Sequence, residues 1–306
     1  MQNNEESNII FGDLENSVQN NADSHYLNRT QQALPSSSAS QQLFLWMQVL
    51  VGSERVHIVI LYVLMIGGGV WHVFNVLQAT MRMLSTPMIL AVALWSLWWI
   101  HRYRFMHKLE AVKTVGECAQ DAAETSTYVR MHQQRWYIWC TVVFMLGVVI
   151  ELVGERTGVI FGEYSYKTAP APMLMPIAIG AAWLGMMLAS TAVVTSLIRV
   201  RLWSALSLAQ QSGVAGCIAV CMALFDGFME PAAVALGYWS WTAPYSDSVW
   251  LIAPVQNYVA WFCISFVFAF VGLRTSVVTT VLPMPRFVVH TFVAQLLYFV
   301  TTNLAK

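Results

Sequence analysis

Residues 213–236 read GVAGCIAVCMALFDGFMEPAAVAL, and this stretch decides the class of fold. A helix needs about 20 predominantly apolar residues to cross the ~30 Å hydrocarbon core of a bilayer. This stretch meets that length, and its only ionisable carboxylates are Asp226 and Glu230. Comparable apolar stretches lie on either side, at 56–80, 85–101, 136–153, 172–198, 251–273 and 281–303. The last contains Pro283, Pro285, Arg286 and His290, so it is expected to begin late or to lie partly in the interface. The expected fold is all-α, a polytopic membrane protein of about seven transmembrane helices. Composition agrees: 57% of the 306 residues are hydrophobic and 10% charged, against about 25% charged in soluble domains.

The formal net charge is zero, with 16 Lys and Arg against 16 Asp and Glu, which leaves no basic excess to attract nucleic acid. The distribution of the cations sets an orientation, because cytoplasmic loops retain Lys and Arg. Placing the second connection inside, with Arg102, Arg104, Lys108, Lys113, Arg130 and Arg135, leaves only Arg82, Arg156, Lys167 and Lys306 outside. The expected topology is therefore N-in and C-out. Residues 1–42 are rich in Asn, Gln and Ser, carry no signal-peptide-like apolar run, and read as a disordered polar tail. Residues 43–306 read as a single membrane-embedded helical domain, within which 103–135 mixes charges with apolar residues and is expected at the cytoplasmic membrane surface. The five cysteines form no CxxC pair and read as small packing residues.

An ionisable side chain inside a span costs about 2.5–3.5 kcal/mol on insertion scales, so each one is a functional candidate. Glu151 and Glu155 flank Gly154 at the outer end of the third span, and Asp226 and Glu230 lie in the fifth. Each pair is spaced i, i+4 and so shares a helix face. Spans three and five run in the same direction, which brings these carboxylates into the same half of the bilayer and lets them converge on one cavity. Carboxylates close together in an apolar site do not all ionise, so one remains a protonated acid, a proton donor, near neutral pH. The competing reading is that backbone ends, Arg156, Lys167 or interfacial water satisfy them.

Two outer connections, GERTGVIFGEYSYKTAPAP and GYWSWTAPYSDSVW, place Tyr164, Tyr166, Tyr238, Trp239, Trp241 and Tyr245 on one side of the membrane. They read either as an interfacial aromatic belt or as the wall of a pocket whose faces stabilise a cation. Gln256 and Asn257 open the sixth span on the same side and either orient a water or bridge helices.

Three segments in order, ELVGERTGVIFGEYSY at 151–166, Asp226-xxx-Glu230-Pro231 followed by GYWSW at 237–241, and PVQNYVAW at 254–261, resemble a carotenoid biosynthesis membrane family. That family includes the CruF-type carotenoid 1,2-hydratases and the bisanhydrobacterioruberin hydratases. The sequence departs from its pattern after Tyr166, where KTAPAPMLMP replaces a short glycine-containing stretch, and in its polar N-terminal extension.

The resemblance implies addition of water across the terminal C1–C2 double bond of an acyclic, lycopene-like end group. Under it, Asp226 delivers the proton and Glu230 or Glu151 orients the water. Tyr164, Tyr166, Trp239, Trp241 and Trp261 line the substrate site and Asn257 holds the water or a carboxylate. Gly154, Gly158 and Gly162 let the outer loop fold tightly over the site. The implied partners are a hydrophobic carotenoid, water, membrane lipid and other enzymes of the pathway, in the plasma membrane, with no cofactor and no metal. A carotenoid cyclase begins with the same proton transfer and stays open at this point, as does a non-enzymatic transporter or lipid-binding scaffold. A di-iron membrane desaturase needs clustered histidines, and the seven here are scattered. A membrane prenyltransferase needs two acidic diphosphate-binding motifs, and one Asp-xxx-Glu does not supply them.

Overall fold

The computed structural model describes residues 52–74, 76, 78–106, 119–167, 174–198, 203–242 and 252–304. The 1–42 tail and residues 107–118 of the expected surface segment lie outside the described residues. The chain divides into two compact units, Met1–Ile60 and Leu61–Lys306. The described part of the first is little more than the opening turns of α1 (Glu54–Val73). Everything below concerns the second.

The architecture is that of an all-α polytopic membrane protein. After α1 come α2 (Gln78–His101), α3 (Ala119–Thr157), α4 (Leu174–Leu197), α5 (Leu208–Ala235), α6 (Val255–Arg274) and α7 (Arg286–Leu304). Among the described residues, α1 and α3–α7 are long and apolar enough to cross a membrane, and α2 adds a seventh long helix of 24 residues. The sequence predicts a first span reaching residue 80; α1 instead ends at Val73, and Gln78 to Thr80 open α2. The last helix begins at Arg286, after both prolines. A proline lacks the N–H that a helix interior uses. α3 runs unbroken for 39 residues, so residues 119–135 continue the axis of the third span.

α4 is the central helix: 78% of its most apolar window is buried, against roughly a third of the window in most of the other spans. It packs against α2, α3, α5, α6 and α7. Its approach to α3 is set by Gly147 and Gly180. A Cβ on Gly180 would lie 2.5 Å from Val148 and 2.8 Å from the Phe144 carbonyl, and one on Gly147 3.2 Å from the Gly180 Cα. Small residues at a crossing let two backbones meet, the usual means of association where lipid removes the hydrophobic drive. Glu151 lies one turn beyond Gly147, so this crossing carries it against α4.

α5 is fixed at its start by a capping box. Ser207 Oγ accepts from the Gln210 N–H at 3.3 Å, and the Ser207 N–H donates to Gln210 Oε1 at 2.9 Å, which satisfies two of the otherwise orphaned donors. Farther along, Pro231 sits inside the helix directly after Glu230.

Candidate active site

The aromatic triplets Tyr164-Ser165-Tyr166 and Trp239-Ser240-Trp241 form two short strands, β1 and β2, that pair antiparallel with Tyr164 opposite Trp241 and Tyr166 opposite Trp239. The ladder continues through Lys167 N–H to the Tyr238 carbonyl (3.0 Å) and Thr242 N–H to the Glu163 carbonyl (2.9 Å). Strand side chains alternate faces. All four aromatic rings therefore occupy one face and the two serines the other. Neighbouring rings are in contact: the Tyr164 and Trp241 centroids are 5.1 Å apart, and those of Tyr164 and Tyr166 5.7 Å.

This face is laid over the carboxylates. Trp239 Nε1 and Trp241 Nε1 both donate to Glu230 Oε2, each at 2.9 Å. The Tyr164 hydroxyl donates to Glu151 Oε1 at 2.6 Å, and the Tyr166 hydroxyl donates to the same oxygen. Each carboxyl thus spends one oxygen on two donors, and the other oxygen has no hydrogen bond to the described residues. Glu151 and Glu230 are both buried, where an uncompensated carboxylate would be costly. Aromatic donors supply that compensation without bringing in a second charge.

Asp226 is fully buried one turn before Glu230. Its Oδ2 accepts from Asn257 Nδ2 on α6 at 2.7 Å, and its Oδ1 has no partner among the described residues.

A cavity of about 30 Å³ opens between these groups, walled by Glu151, Glu230, Asn257, Trp241, Trp261 and other aromatic side chains. That is room for one or two waters. Trp261 stacks face to face on the buried Trp183 of α4, with centroids 3.9 Å apart and planes at 7°. Ile179, Met229 and Trp239 line both this cavity and a larger one of about 150 Å³, whose remaining wall is almost wholly apolar.

The sequence-predicted residues fall into three positions. Glu151, Glu230, Tyr164, Tyr166, Trp239, Trp241, Asn257 and Trp261 line the small cavity together. Asp226 does not line it and reaches it through Asn257. Gly154, Gly158 and Gly162 shape the connection above. A Cβ on Gly154 would lie 2.5 Å from the Phe161 ring, and Gly158 and Gly162 hold φ of +65° and +100°. Gln256 bridges, donating to the carbonyls of Gly158 and Val159. Glu155 is only half-buried and lies outside the cavity wall. Trp183, Phe161, Ile179 and Met229 were not marked by the sequence. Ile179 and Trp183 sit in an apolar run without a polar signal, although the single tryptophan inside 172–198 was a cue; Phe161 and Met229 lie beside the charged motifs but carry no polar group themselves. Among the described residues no group of three His, Cys, Asp or Glu is placed to hold a metal ion.

The fold and this site define a polytopic membrane protein with a buried carboxyl-lined pocket that adjoins an apolar cavity. The family model for carotenoid biosynthesis proteins matches residues 118–306, which contain every residue of the small cavity, and the chain belongs to that family. Neither a curated protein nor a solved structure matches it.

Proposed function

We propose that the protein is a cofactor-independent hydratase that adds water across the terminal C1–C2 double bond of an acyclic, lycopene-like carotenoid. The observation that carries this reading is the meeting of two carboxyl groups, aromatic faces and space for a water in one buried cavity that adjoins an apolar one.

The hydrogen bonds support distinct roles for the two acids. An indole N–H can only donate. Two of them on Glu230 Oε2 keep that oxygen an acceptor, so a proton on Glu230 resides on Oε1. Glu230 is then the general acid, passing this proton to C2 and leaving a tertiary cation at C1. The electron-rich faces of the surrounding rings stabilise that cation. A water oriented by Asn257 bonds to C1 through oxygen and gives up a proton to Glu151. Phenol hydroxyls both donate and accept, so Tyr164 and Tyr166 adjust to either protonation state of Glu151. Transfer of one proton from Glu151 back to Glu230 across the cavity resets the site, and the net change is one water added. Asp226, reached through Asn257, positions that amide rather than touching substrate.

The test is expression in a lycopene-accumulating bacterium, with the pigments resolved by liquid chromatography and mass spectrometry. The expected result is a gain of the mass of one or two waters, lost in Glu230→Gln. A product of unchanged mass and altered retention would replace hydration with cyclisation. Unaltered lycopene from a stably expressed protein would remove lycopene as the substrate, and a protein that moves pigment without altering it would be a carrier.

A further inference from the structure

The larger cavity contains one group that its surroundings do not explain. Its wall includes Met65, Met88, Met175, Met186 and Met229, flexible polarisable side chains suited to an irregular apolar guest. Gln295 of α7 belongs to the same wall. It is half-buried and makes no hydrogen bond among the described residues. An amide in an apolar environment without a partner costs about 1–3 kcal/mol by protein mutational measures. A polar group beside it would recover part of that cost.

The volume limits what that is. An apolar cavity of ~150 Å³ accommodates a ring the size of benzene, and an isoprene unit has nearly as many carbons. This cavity is of that size. It shares Ile179, Met229 and Trp239 with the acid pocket, so a chain whose end group lies between Glu151 and Glu230 places its next isoprene unit here.

We infer that the methionine-lined cavity is the subsite for the isoprene unit adjoining the reacting end, and that Gln295 selects chains carrying a hydroxyl or keto oxygen on that unit. The inference rests on the proposed placement of a carotenoid end group in the acid pocket. Gln295 is a specificity residue with no part in the proton transfers.

The experiment measures binding without turnover, by tryptophan fluorescence quenching of the full chain in nanodiscs. The two probes are lycopene and an acyclic carotenoid that differs from it by a hydroxyl or keto group on the second isoprene unit. The wild type is expected to bind the oxygenated pigment about tenfold more tightly, the discrimination that one net hydrogen bond of about 1.4 kcal/mol supplies. In Gln295→Met that ratio is expected to fall to near one. Equal affinities in the wild type, or a preference that survives Gln295→Met, would overturn the selection. Filling the cavity with Ala182→Phe is expected to weaken both pigments at least tenfold. Gly185→Leu serves if that variant does not fold, since a Cβ there meets only Ala93, at 3.5 Å. Undiminished binding in a folded filled variant would overturn the location. The mass gain of the product is scored separately: loss of hydration with the binding preference intact would reject the hydratase reading and leave this one standing.

Discussion

Asn257 Nδ2 lies 2.7 Å from Asp226 Oδ2, joining α5 to α6 through a carboxyl whose other oxygen has no partner among the described residues. Removing the amide while leaving the acid strands a buried carboxyl group. Asn257→Leu is therefore expected to cost about 1–3 kcal/mol and to lower the thermal midpoint of the purified protein by several degrees. Asp226→Leu in the same chain should recover part of that loss, because no buried polar group is then left stranded. If the double variant is no more stable than Asn257→Leu alone, the bond is not what the amide contributes.

Glu230→Gln keeps the size of the side chain and removes the proton it would deliver. General acid catalysis is worth about 10²–10⁴-fold, so product formation should fall by at least a hundredfold while the protein still folds and binds pigment. Comparable turnover in the variant would move the proton donor to Glu151 or Asp226.

Tyr164 and Tyr166 lie outside the spans. Burial first, and then the Glu151 carboxyl beside them, push both phenols above the usual tyrosine range. A raised phenol pKa means that the folded state holds its protons where the unfolded chain, titrating near about pH 10, releases them. The stability these tyrosines contribute is complete below that pH and is lost progressively above it. Unfolding followed from pH 8 to 11 should show this alkaline loss in the wild type, and a shallower loss in the Tyr164→Phe, Tyr166→Phe double variant.

Gly162 holds φ of +100°, and a Cβ there would lie 2.9 Å from Pro254 Cγ. Gly162→Ala therefore meets backbone strain and a clash at once, at a cost of about 1–3 kcal/mol. Since β1 begins two residues later, product formation should fall with stability. An alanine variant with unchanged melting and unchanged product would show that the connection relaxes freely.

Long elements and charged groups were legible because each carries its own signal. Length and hydropathy are enough to mark the helices, and the cost of burying a carboxylate marks Glu151, Asp226 and Glu230. The pairing of β1 with β2 was not legible, since three-residue strands have no periodic pattern long enough to read. A cue did exist in the two matching aromatic-Ser-aromatic triplets, each following a helix with a buried acid. Which acid faces the cavity was equally hidden. Asp226 and Glu230 share a helix face by spacing, yet Glu230 lines the cavity and Asp226 stands behind Asn257. That distinction depends on how α6 packs against α5. The stack of Trp261 on Trp183 brings together residues 78 positions apart, a contact that neither apolar run announces.

The β1–β2 ladder also bears on how this site can change. Each strand supplies the donors for an acid on the helix before it, while its backbone is pinned to the other strand. The two connections behave as one inheritable part: exchanging either alone with a relative would leave its partner mispaired, so a transplanted specificity must carry both, together with the helices they follow.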